Sequence, residues 1–477
     1  MNTLISRKAF IGGLSATAWT ALFGGFPRSG TRRMRLGILS DVHLGVDTGK
    51  PSRAESNFLA ALRFFRDAGV DGVILAGDLT ECGQREEMAN VVAKWNSVFP
   101  DDRLPDGRRV ERLFVSGNHE FDGWRYGGRL RTDEERDRAM RNSMRFEPEK
   151  YWPEFWKEPY EPVSIREFMG YRFVLCHCYE WGRTPAFLEA HRAELEGDRP
   201  FFYVQHKHPE GTVYGRMDAR AVEHAGRQLT AALARFPNAV AFSGHSHIPL
   251  SLPQSIWQGA FTSVATGSTS QPYLERNREN GGPRAGDDGR EYFMCRLDMS
   301  TAVGYLMMDV YDDRLVFERR LVDPVAKCGE DWVVPLPACG DESARPYAFE
   351  PRSGASRPPE FPPDARVSVA QKEGITRRWR KERMVAVEFP RAAARGAEGV
   401  VYDYGIEVLA DGQPHLTTRI YPSGVGLSES LAAAKGGLEL CGFDPALFPA
   451  GRTYAFTVTP FDSWGRAGKA IKGTYEP

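Results

Sequence analysis

Short apolar runs alternate with longer amphipathic segments along the first half of the chain. A short continuous apolar run is typical of a strand that is buried on both faces, whereas apolar residues three to four positions apart are typical of a helix. The predicted strands are 34–40, 72–76, 112–116, 171–177, 201–205 and 239–243, and the predicted helices are 54–68, 84–98 and 218–235. This alternation predicts an α/β fold in which helices cover layers of sheet.

The pattern changes after residue 325. Further strands are predicted at 259–265, 292–297, 304–310 and 314–318, so we assign residues 34–325 to one α/β domain. Residues 326–365 are rich in proline, which predicts a linker. Residues 366–477 contain short alternating runs between turn residues, which predicts a small all-β sandwich domain. Residues 121–160 are polar and aromatic, and we interpret them as an insertion near the site.

The first thirty residues have the pattern of an export signal. Arg7 and Lys8 precede an uncharged stretch, 9–27, that is rich in small residues. The segment is similar to a twin-arginine signal, with lysine in the second basic position. We therefore expect export to the periplasm, the cell envelope or the medium. The alternative is a retained membrane anchor, and only such an uncleaved segment would bring this protein to a membrane.

The balance of basic and acidic residues indicates whether nucleic acid is an expected partner. The chain has 62 basic and 63 acidic residues and a net charge of −1. A dedicated nucleic-acid-binding protein usually carries a basic excess, so specific nucleic-acid binding is not expected. Seven cysteines in 477 residues do not indicate a disulfide scaffold.

Polar segments with metal-ligand chemistry occur at five places, four of them directly after an apolar run. They are Asp41-Val42-His43, Gly77-Asp78, Gly117-Asn118-His119-Glu120, Gln205-His206 and Gly244-His245-Ser246-His247. Sites in layered α/β folds lie beyond the carboxyl ends of strands, so these segments can converge. In an extended chain residues i and i+2 point the same way, which would turn Asp41 and His43 toward one site. The same spacing applies to His245 and His247.

Imidazoles, carboxylates and an amide oxygen suit first-row divalent metals, and one carboxylate can bridge two ions. Two ions about 3.5–4 Å apart bind a phosphoryl group and lower the pKa of a bound water. Each motif alone is commonly incidental, but all five in this order indicate a site for two metal ions. Manganese, zinc, iron, nickel and cobalt all remain candidates.

These motifs resemble those of the calcineurin-like metallophosphoesterase superfamily over residues 34–320. The resemblance implies a four-layer α/β/β/α sandwich with a dinuclear site at one edge. The implied ligands of one ion are Asp41, His43, Asp78 and His247. Those of the other are Asp78, Asn118, His206 and His245, with Asp78 bridging. His119 matches the family position that stabilises or protonates the leaving oxygen, which an imidazolium can do.

The fourth ligand segment offers two histidines, His206 and His208. Residues 212–215 resemble bacterial relatives in which the earlier histidine is the ligand, so we choose His206. Purple acid phosphatases have a tyrosine where this chain has Glu81, which argues against a ferric–tyrosinate site. Protein Ser/Thr phosphatases have Asp-Arg in that stretch, whereas this chain has Glu81-Cys82, which argues against specificity for phosphoproteins. Residues 117–122 resemble the 5′-nucleotidase branch, although the tail is too short for the nucleotide-binding domain of that branch.

The predicted function is hydrolysis of a small-molecule phosphoester, monoester or diester, with metal-bound hydroxide as nucleophile. The predicted substrate contacts are Asp122, Arg125, Tyr126 and Tyr214. The alternative is a catalytically silent metal-binding envelope protein whose tail binds glycan or protein. The tail resembles a fibronectin type III or immunoglobulin-like domain.

Overall fold

The structure is a computed structural model. It describes residues 30–125, 130, 132–213, 226–274, 278, 301–323, 325–337, 345–375, 381–396, 399–434 and 436–477. The predicted signal up to residue 29, part of the helix predicted at 218–235 and the strand predicted at 292–297 lie outside these ranges. None of the described helices has the length and apolar character needed to cross a bilayer.

The elements of the first half follow the alternation of the sequence. They are β1 Met34–Leu39, α1 Arg53–Asp67, β2 Gly72–Ala76, α2 Arg85–Val98, β3 Glu111–Val115, α3 Asn118–Asp122, α4 Asp133–Arg141, α5 Pro148–Trp156, β4 Val163–Phe168, β5 Tyr171–Cys176, α6 Thr184–Ala190, α7 Arg192–Leu195, β6 Phe201–Val204, α8 Gly226–Leu233, β7 Ala239–Ser243, β8 Ile256–Gln258 and β9 Thr262–Ala265. Helix α1 begins after Ser52, whose hydroxyl accepts a hydrogen bond from the Glu55 amide at 3.1 Å.

The second half is mostly strand. Its elements are β10 Gly304–Val310, β11 Arg314–Leu321, β12 Ala326–Lys327, β13 Trp332–Pro335, α9 Phe349–Ala355, β14 Arg357–Glu360, β15 Ser368–Ile375, β16 Lys381–Pro390, β17 Ala393–Arg395, β18 Val401–Ala410, β19 Gln413–Ile420, α10 Glu429–Ala434, β20 Leu438–Phe443, β21 Tyr454–Asp462 and β22 Ile471–Tyr475. Short 3₁₀ turns lie at Pro100–Asp102, Gly123–Arg125, Trp181–Arg183, Pro253–Ser255 and Pro445–Leu447.

Two mixed sheets form the α/β part. The first has the order β12-β11-β10-β1-β2-β3, with β13 also paired to β11, and the second has the order β4-β5-β6-β7-β9-β8. Strands β1, β2 and β3 are parallel, and so are β5, β6, β7 and β9. Ile38 lies opposite Ile74, which lies opposite Leu113, so the carboxyl ends of three strands meet at one edge.

The sheets pack face to face, and helices cover both outer faces. Side chains such as Ile38 and Phe242 share one fully buried core between the sheets. Helices α1, α2 and α5 cover the first sheet, and α6 and α8 cover the second. The predicted four-layer α/β/β/α arrangement is confirmed. Trp152 and Trp156, which we assigned to an insertion near the site, are buried in the layer that covers the first sheet.

Residues 326–365 hold regular structure. Strand β13 pairs with β11 and thereby extends the first sheet beyond residue 325. Tyr347 packs in the core between the two sheets, and β14 pairs with β17 of the tail. We predicted a linker from proline content, which does not show that β13 pairs with β11 or that β14 pairs with β17. The domain bounds themselves stay a prediction.

The tail contains a β-sandwich, as predicted. Its antiparallel sheets have the orders β15-β16-β20 and β19-β18-β21-β22. Side chains from both sheets, among them Val387, Phe389, Ile406 and Phe456, form one buried core. The likeness to a fibronectin type III or immunoglobulin-like domain stays a prediction.

The sandwich packs closely on the α/β part. Tyr421 and Val425 of the tail share a buried apolar cluster with Ile248. Gly426 has a φ of +83°, and a Cβ there would lie 2.8 Å from Ala302 Cβ and 3.2 Å from Pro249 Cγ. The backbone of the sandwich at Gly426 and the side chains of Tyr421 and Val425 therefore pack directly against apolar residues of the α/β part.

We expect Tyr421→Ala to lower the free energy of unfolding by about 3 kcal/mol, because it leaves a cavity between the two parts. Tyr421 is 1% exposed, and Leu438, 66% exposed in the same domain, is the matched control. Leu438→Ala should change stability by less than about 0.5 kcal/mol. Urea denaturation followed by fluorescence and circular dichroism measures both. Equal stability of the two variants would show that this contact contributes little.

Candidate metal centre

Loops that leave the carboxyl ends of both sheets form the centre. Asp41 follows β1 and Asp78 follows β2, and the backbone N–H of Asp41 donates to the carbonyl of Gly77 at 3.0 Å. From the second sheet, His206 follows β6, and its carbonyl accepts from the N–H of Gly244 at 3.0 Å. Backbone hydrogen bonds thus tie the ligand-bearing loops of each sheet to one another.

The predicted side chains converge at van der Waals and hydrogen-bond distances. His247 Nε2 lies 3.0 Å from Asp41 Oδ1, and His206 Nε2 lies 3.1 Å from Asp78 Oδ2. His43 Nε2 lies 3.9 Å from Asp41 Oδ1 and 3.7 Å from Asp78 Oδ2. One imidazole thus faces both carboxylates.

Three groups of ligand atoms result, and two of them contain Asp78, whereas the third is His43, Glu81 and His119. The first group is Asp41, His43, Asp78 and His247, and the second is Asp78, His206 and His245. Within each group the ligand atoms lie within 4.8 Å of one another. The buried Asn118 Oδ1 has no hydrogen-bond partner among the described residues. Buried polar atoms are normally bonded, so donor atoms in this state fit metal ligands. The residues present therefore fit two ions that share a carboxylate.

The histidines are oriented by hydrogen bonds at their other ring nitrogen. His206 Nδ1 lies 2.8 Å from the Ala76 carbonyl, and His247 Nδ1 lies 2.6 Å from the Gln271 carbonyl. His43 Nδ1 lies 3.2 Å from Glu81 Oε2. Donation from Nδ1 places the lone pair on Nε2, which faces the carboxylates in each case. The rings are thus arranged for ligation through Nε2.

The backbone reaches this arrangement in a strained conformation. Five predicted ligands have positive φ: Asp41 at 51°, His43 at 50°, Asp78 at 52°, His245 at 67° and His247 at 52°. The expectation that these i and i+2 pairs lie on extended chain is therefore wrong, because the chain has already left the strand. Non-glycine residues with such φ cost about 1–3 kcal/mol each and occur where the surroundings fix them.

Glycines in the ligand loops leave room for the ligands. A Cβ at Gly117 would collide with the carboxylate of Asp78, and a Cβ at Gly244 would collide with that of Asp41. A Cβ at Gly77, whose φ is +89°, would lie 2.5 Å from His206 Nδ1. These glycines are required by the close approach of site atoms.

Residues 34–249 match the family model for calcineurin-like phosphoesterases. This segment contains every predicted metal ligand, and it spans the strand ends that carry them. Residues 34–249 are a calcineurin-like phosphoesterase domain.

Solved structures of low sequence identity align with part of the chain. A dimetal phosphatase from Danio rerio is 12% identical with a TM-score of 0.37, over 64% of this chain and 99% of its own. Purple acid phosphatase PPD1 from yellow lupin (Lupinus luteus) seeds is 14% identical with a TM-score of 0.41, over 65% of this chain and 54% of its own. With TM-scores below 0.5, neither likeness says what this chain does. No curated protein sequence matches the chain.

His206 and His208 differ in their surroundings within the phosphoesterase domain. His206 faces Asp78, whereas His208 Nε2 lies 2.6 Å from Ser246 Oγ and its Nδ1 lies 2.5 Å from Ser243 Oγ. Both ring nitrogens of His208 are thus occupied by serine hydroxyls, whereas His206 belongs to a group that could hold a metal ion. The choice of His206 as the ligand stays a prediction.

The electrostatics are dominated by buried carboxylates. Burial raises the pKa of Asp41, but the neighbouring His247 outweighs it and brings the pKa down to about 2. Burial lowers the pKa of His206, but Asp78 outweighs it and raises the pKa to about 9. Burial also lowers the pKa of His119, but Asp78 outweighs burial, and the pKa is raised. Both shifts favour the protonated imidazole, so protons on His206 and His119 can balance the charge of the carboxylates.

The predicted substrate contacts of the phosphoesterase domain are only partly described. Asp122 is buried and forms ion pairs with Arg145 and, at 3.7 Å, with Arg125 Nε. Arg125 is half-exposed and also stacks on the Trp124 ring at 4.9 Å. The hydrogen-bonded partner of Asp122 is thus Arg145, and the role of Asp122 and Arg125 as substrate contacts stays a prediction. Tyr126 and Tyr214 lie outside the described residues.

Several supporting residues of the phosphoesterase domain were not predicted as site residues. The Glu81 side chain faces His43, and its carbonyl lies 2.5 Å from His119 Nδ1. Glu120 accepts from the Thr80 and Gly117 amides and so joins two ligand loops. The Tyr273 ring stacks on His247 at 4.4 Å. Glu120 lies within a recognised motif and Glu81 lies three residues after the Gly77-Asp78 motif, so both could have been found there, but Tyr273 carries no sequence signal.

We expect His206→Gln to lose about one of two bound metal ions per chain, because it removes a ligand whose Nε2 faces Asp78. His208→Gln is the matched control and should keep both ions, because it replaces a histidine bonded to two serines. Metal analysis by mass spectrometry after dialysis measures the content of each variant. The reverse result would move the ligand assignment to His208.

Metal affinity should rise with pH up to about pH 9. The pKa of His206 is about 9 without metal, so the imidazole is protonated at neutral pH and the metal must displace that proton. One displaced proton changes the affinity about tenfold per pH unit below the pKa. Calorimetric titration with manganese at pH 6.5, 7.5 and 8.5 measures this. An affinity independent of pH would show that His206 releases no proton.

Proposed function

We propose that this protein is a dinuclear metal-dependent hydrolase that cleaves a phosphoester bond in a small-molecule substrate. The observation that carries the proposal is the sharing of Asp78 by two groups of ligand atoms. The family match of residues 34–249 supports the same reaction class. A carboxylate shared by two ligand groups would let Asp78 contribute to two ions, and a pair of ions can stabilise both the attacking and the leaving oxygen in phosphoester hydrolysis.

The ligand sets are those that the sequence resemblance implied. Asp41, His43 and His247 would hold one ion with Asp78, and Asn118, His206 and His245 would hold the other. When bound, such a pair of ions supplies positive charge for a phosphoryl group and a nucleophilic water at neutral pH. The protein keeps the ligand side chains buried and fixed, because all but His245 are less than about one-tenth exposed.

His119 is placed to protonate the leaving oxygen. Its Nδ1 faces the Glu81 carbonyl, and its Nε2 lies 3.9 Å from Asp78 Oδ2 at the border of the centre. Although burial lowers its pKa, Asp78 and Glu81 outweigh burial and raise it, which favours the protonated ring. A protonated imidazole next to a reacting ester is suited to general-acid catalysis.

We further propose that the enzyme acts outside the cytoplasm, since the basic residues and uncharged stretch at the N-terminus have the pattern of an export signal. Fractionation of cells that express the full chain, followed by immunoblotting, tests this. Recovery of the protein in the cytoplasmic fraction would contradict it.

We expect Asp78→Asn to lose metal and activity together, because the shared ligand loses its charge. His119→Ala should keep both ions and lower kcat about a hundredfold, which is a usual contribution of a general acid. Metal content and the hydrolysis of p-nitrophenyl phosphate and bis(p-nitrophenyl) phosphate are measured with manganese, zinc, iron, nickel and cobalt.

Equal metal loss in both variants would contradict the separate role of His119. A wild-type protein that binds two ions but hydrolyses neither ester under any of these metals would contradict the proposed function. That result would favour the alternative, a silent metal-binding protein whose tail binds glycan or protein.

A further inference from the structure

A cavity of about 720 Å³ lies where the sandwich meets the α/β part. Gln254 lines it from the α/β part, Phe349 from helix α9, and Tyr402 and residues 462–466 from the sandwich. No predicted metal ligand or substrate contact is among the described residues that line it. Clefts of about 300–1,000 Å³ between domains commonly bind small molecules, so this cavity has the size and position of a ligand site.

Hydrogen bonds from both parts of the chain fix the wall of the cavity at residues 462–466. The carboxylate of Asp462 accepts from the backbone N–H of Trp464 at 2.9 Å and from that of Arg466 at 2.7 Å. Gln254 Nε2 donates to the carbonyl of Ser463 at 2.7 Å, which joins the α/β part to this turn. The shape of this wall is therefore set by the folded protein.

Four polar atoms of the lining residues are buried without a hydrogen-bond partner in the described part of the chain: Gln254 Oε1, Ser463 Oγ, Trp464 Nε1 and Arg419 Nε. Gln254 is 2% exposed and Ser463 is 6% exposed. The first atom is an acceptor, the hydroxyl is both donor and acceptor, and the last two atoms are donors. Because buried polar groups are normally bonded, this lining indicates a ligand that both donates and accepts hydrogen bonds.

The aromatic rings of the lining narrow the choice of ligand. Trp464 is partly exposed, and the Phe349 ring meets its ring at 5.4 Å between centres and at an angle of 74°. Two rings at this angle do not form the parallel slot that holds a planar base. The negative face of one ring can instead pack against the weakly positive C–H groups of a sugar ring.

Charged side chains of both signs line the cavity, namely Arg278, Arg419, Arg466, Glu350 and Asp462. Two of the arginines share the fully buried Asp403, since Arg278 Nε lies 2.8 Å from its Oδ2 and Arg419 Nη2 donates to its Oδ1. A strongly charged ligand would meet side chains of its own sign here. The lining therefore suits a neutral polar ligand.

We propose that this cavity binds a neutral sugar. Each sugar hydroxyl both donates and accepts, so it can serve the acceptor of Gln254 and the donors of Trp464 and Arg419 alike. The C–H face of the sugar ring would pack on the indole of Trp464. This site goes beyond the proposed hydrolysis and is compatible with it, because it uses none of the predicted metal ligands.

Ligand-observed NMR titrations of the full chain test the proposal with the methyl glycosides of glucose, galactose, mannose and N-acetylglucosamine. We expect at least one of these glycosides to bind, and we expect adenosine and benzoate, a planar base and an aromatic anion, not to bind. In Trp464→Ala the affinity for that glycoside should fall about tenfold, because the ring face and its N–H are lost. Ser463→Ala removes one buried hydroxyl and should weaken binding about fivefold.

Arg452→Gln is the matched control, because it removes a half-exposed arginine of the same sandwich that pairs with Asp411 and does not line the cavity. It should leave the affinity within about twofold. Circular dichroism checks folding, and Ser463→Ala carries the test if Trp464→Ala does not fold.

Binding of none of the glycosides, or binding of adenosine or benzoate in their place, would overturn the inference. Equal affinity of the wild type and the folded cavity variants would do the same. Glycoside binding is measured without hydrolysis, so this result is separate from that of the proposed function, which fails if the wild-type protein hydrolyses no phosphoester.

Discussion

Two carboxylates buried side by side set the conditions that the rest of the site must meet. Asp41 is 0% exposed and Asp78 is 2% exposed. An uncompensated buried carboxylate costs several kcal/mol, so cationic or N–H groups must surround it. The backbone N–H of His119 donates to Asp78 Oδ1 at 2.8 Å, and that of His245 lies 3.1 Å from both oxygens of Asp41. Imidazoles also face the two carboxylates, with His247 at Asp41 and His206 at Asp78.

This requirement explains the backbone of the ligand loops. A carboxylate that must accept a neighbouring backbone N–H needs that backbone close by, and a side chain at Gly117 or Gly244 would occupy the same space. The left-handed conformations of Asp41 and Asp78 are unfavourable in isolation. They are held because each loop follows a strand whose last four residues are buried, and because the loops are hydrogen-bonded to each other. Ligation geometry is thus determined by the two sheets.

The sequence predicts those parts of the fold and the site that correspond to a local pattern of residues. Strands Gly72–Ala76 and Ala239–Ser243 were predicted at their observed bounds, because every residue in them is buried and apolar or small. The ligand segments follow those strands, so their convergence was also predictable. The Gln271 carbonyl that orients His247 was not, because every residue has a carbonyl and only the fold selects one. Left-handed φ at His43 was missed for a similar reason, since i and i+2 spacing does not distinguish a strand from the turn after it.

The interface between the two parts of the chain reaches the metal centre. Ile248 directly follows the ligand His247 and shares an apolar cluster with Tyr421 of the sandwich. His247 itself is fixed by the Gln271 carbonyl and the Tyr273 ring, which follow β9. The loop that carries this ligand is therefore packed by the α/β part on one side and by the tail on the other. Removing the tail would expose the apolar cluster and free one side of the loop, so metal loss in a truncated chain would not make the tail a source of ligands. Point substitutions such as Tyr421→Ala, combined with metal analysis, separate mechanical support of His247 from any binding activity of the sandwich.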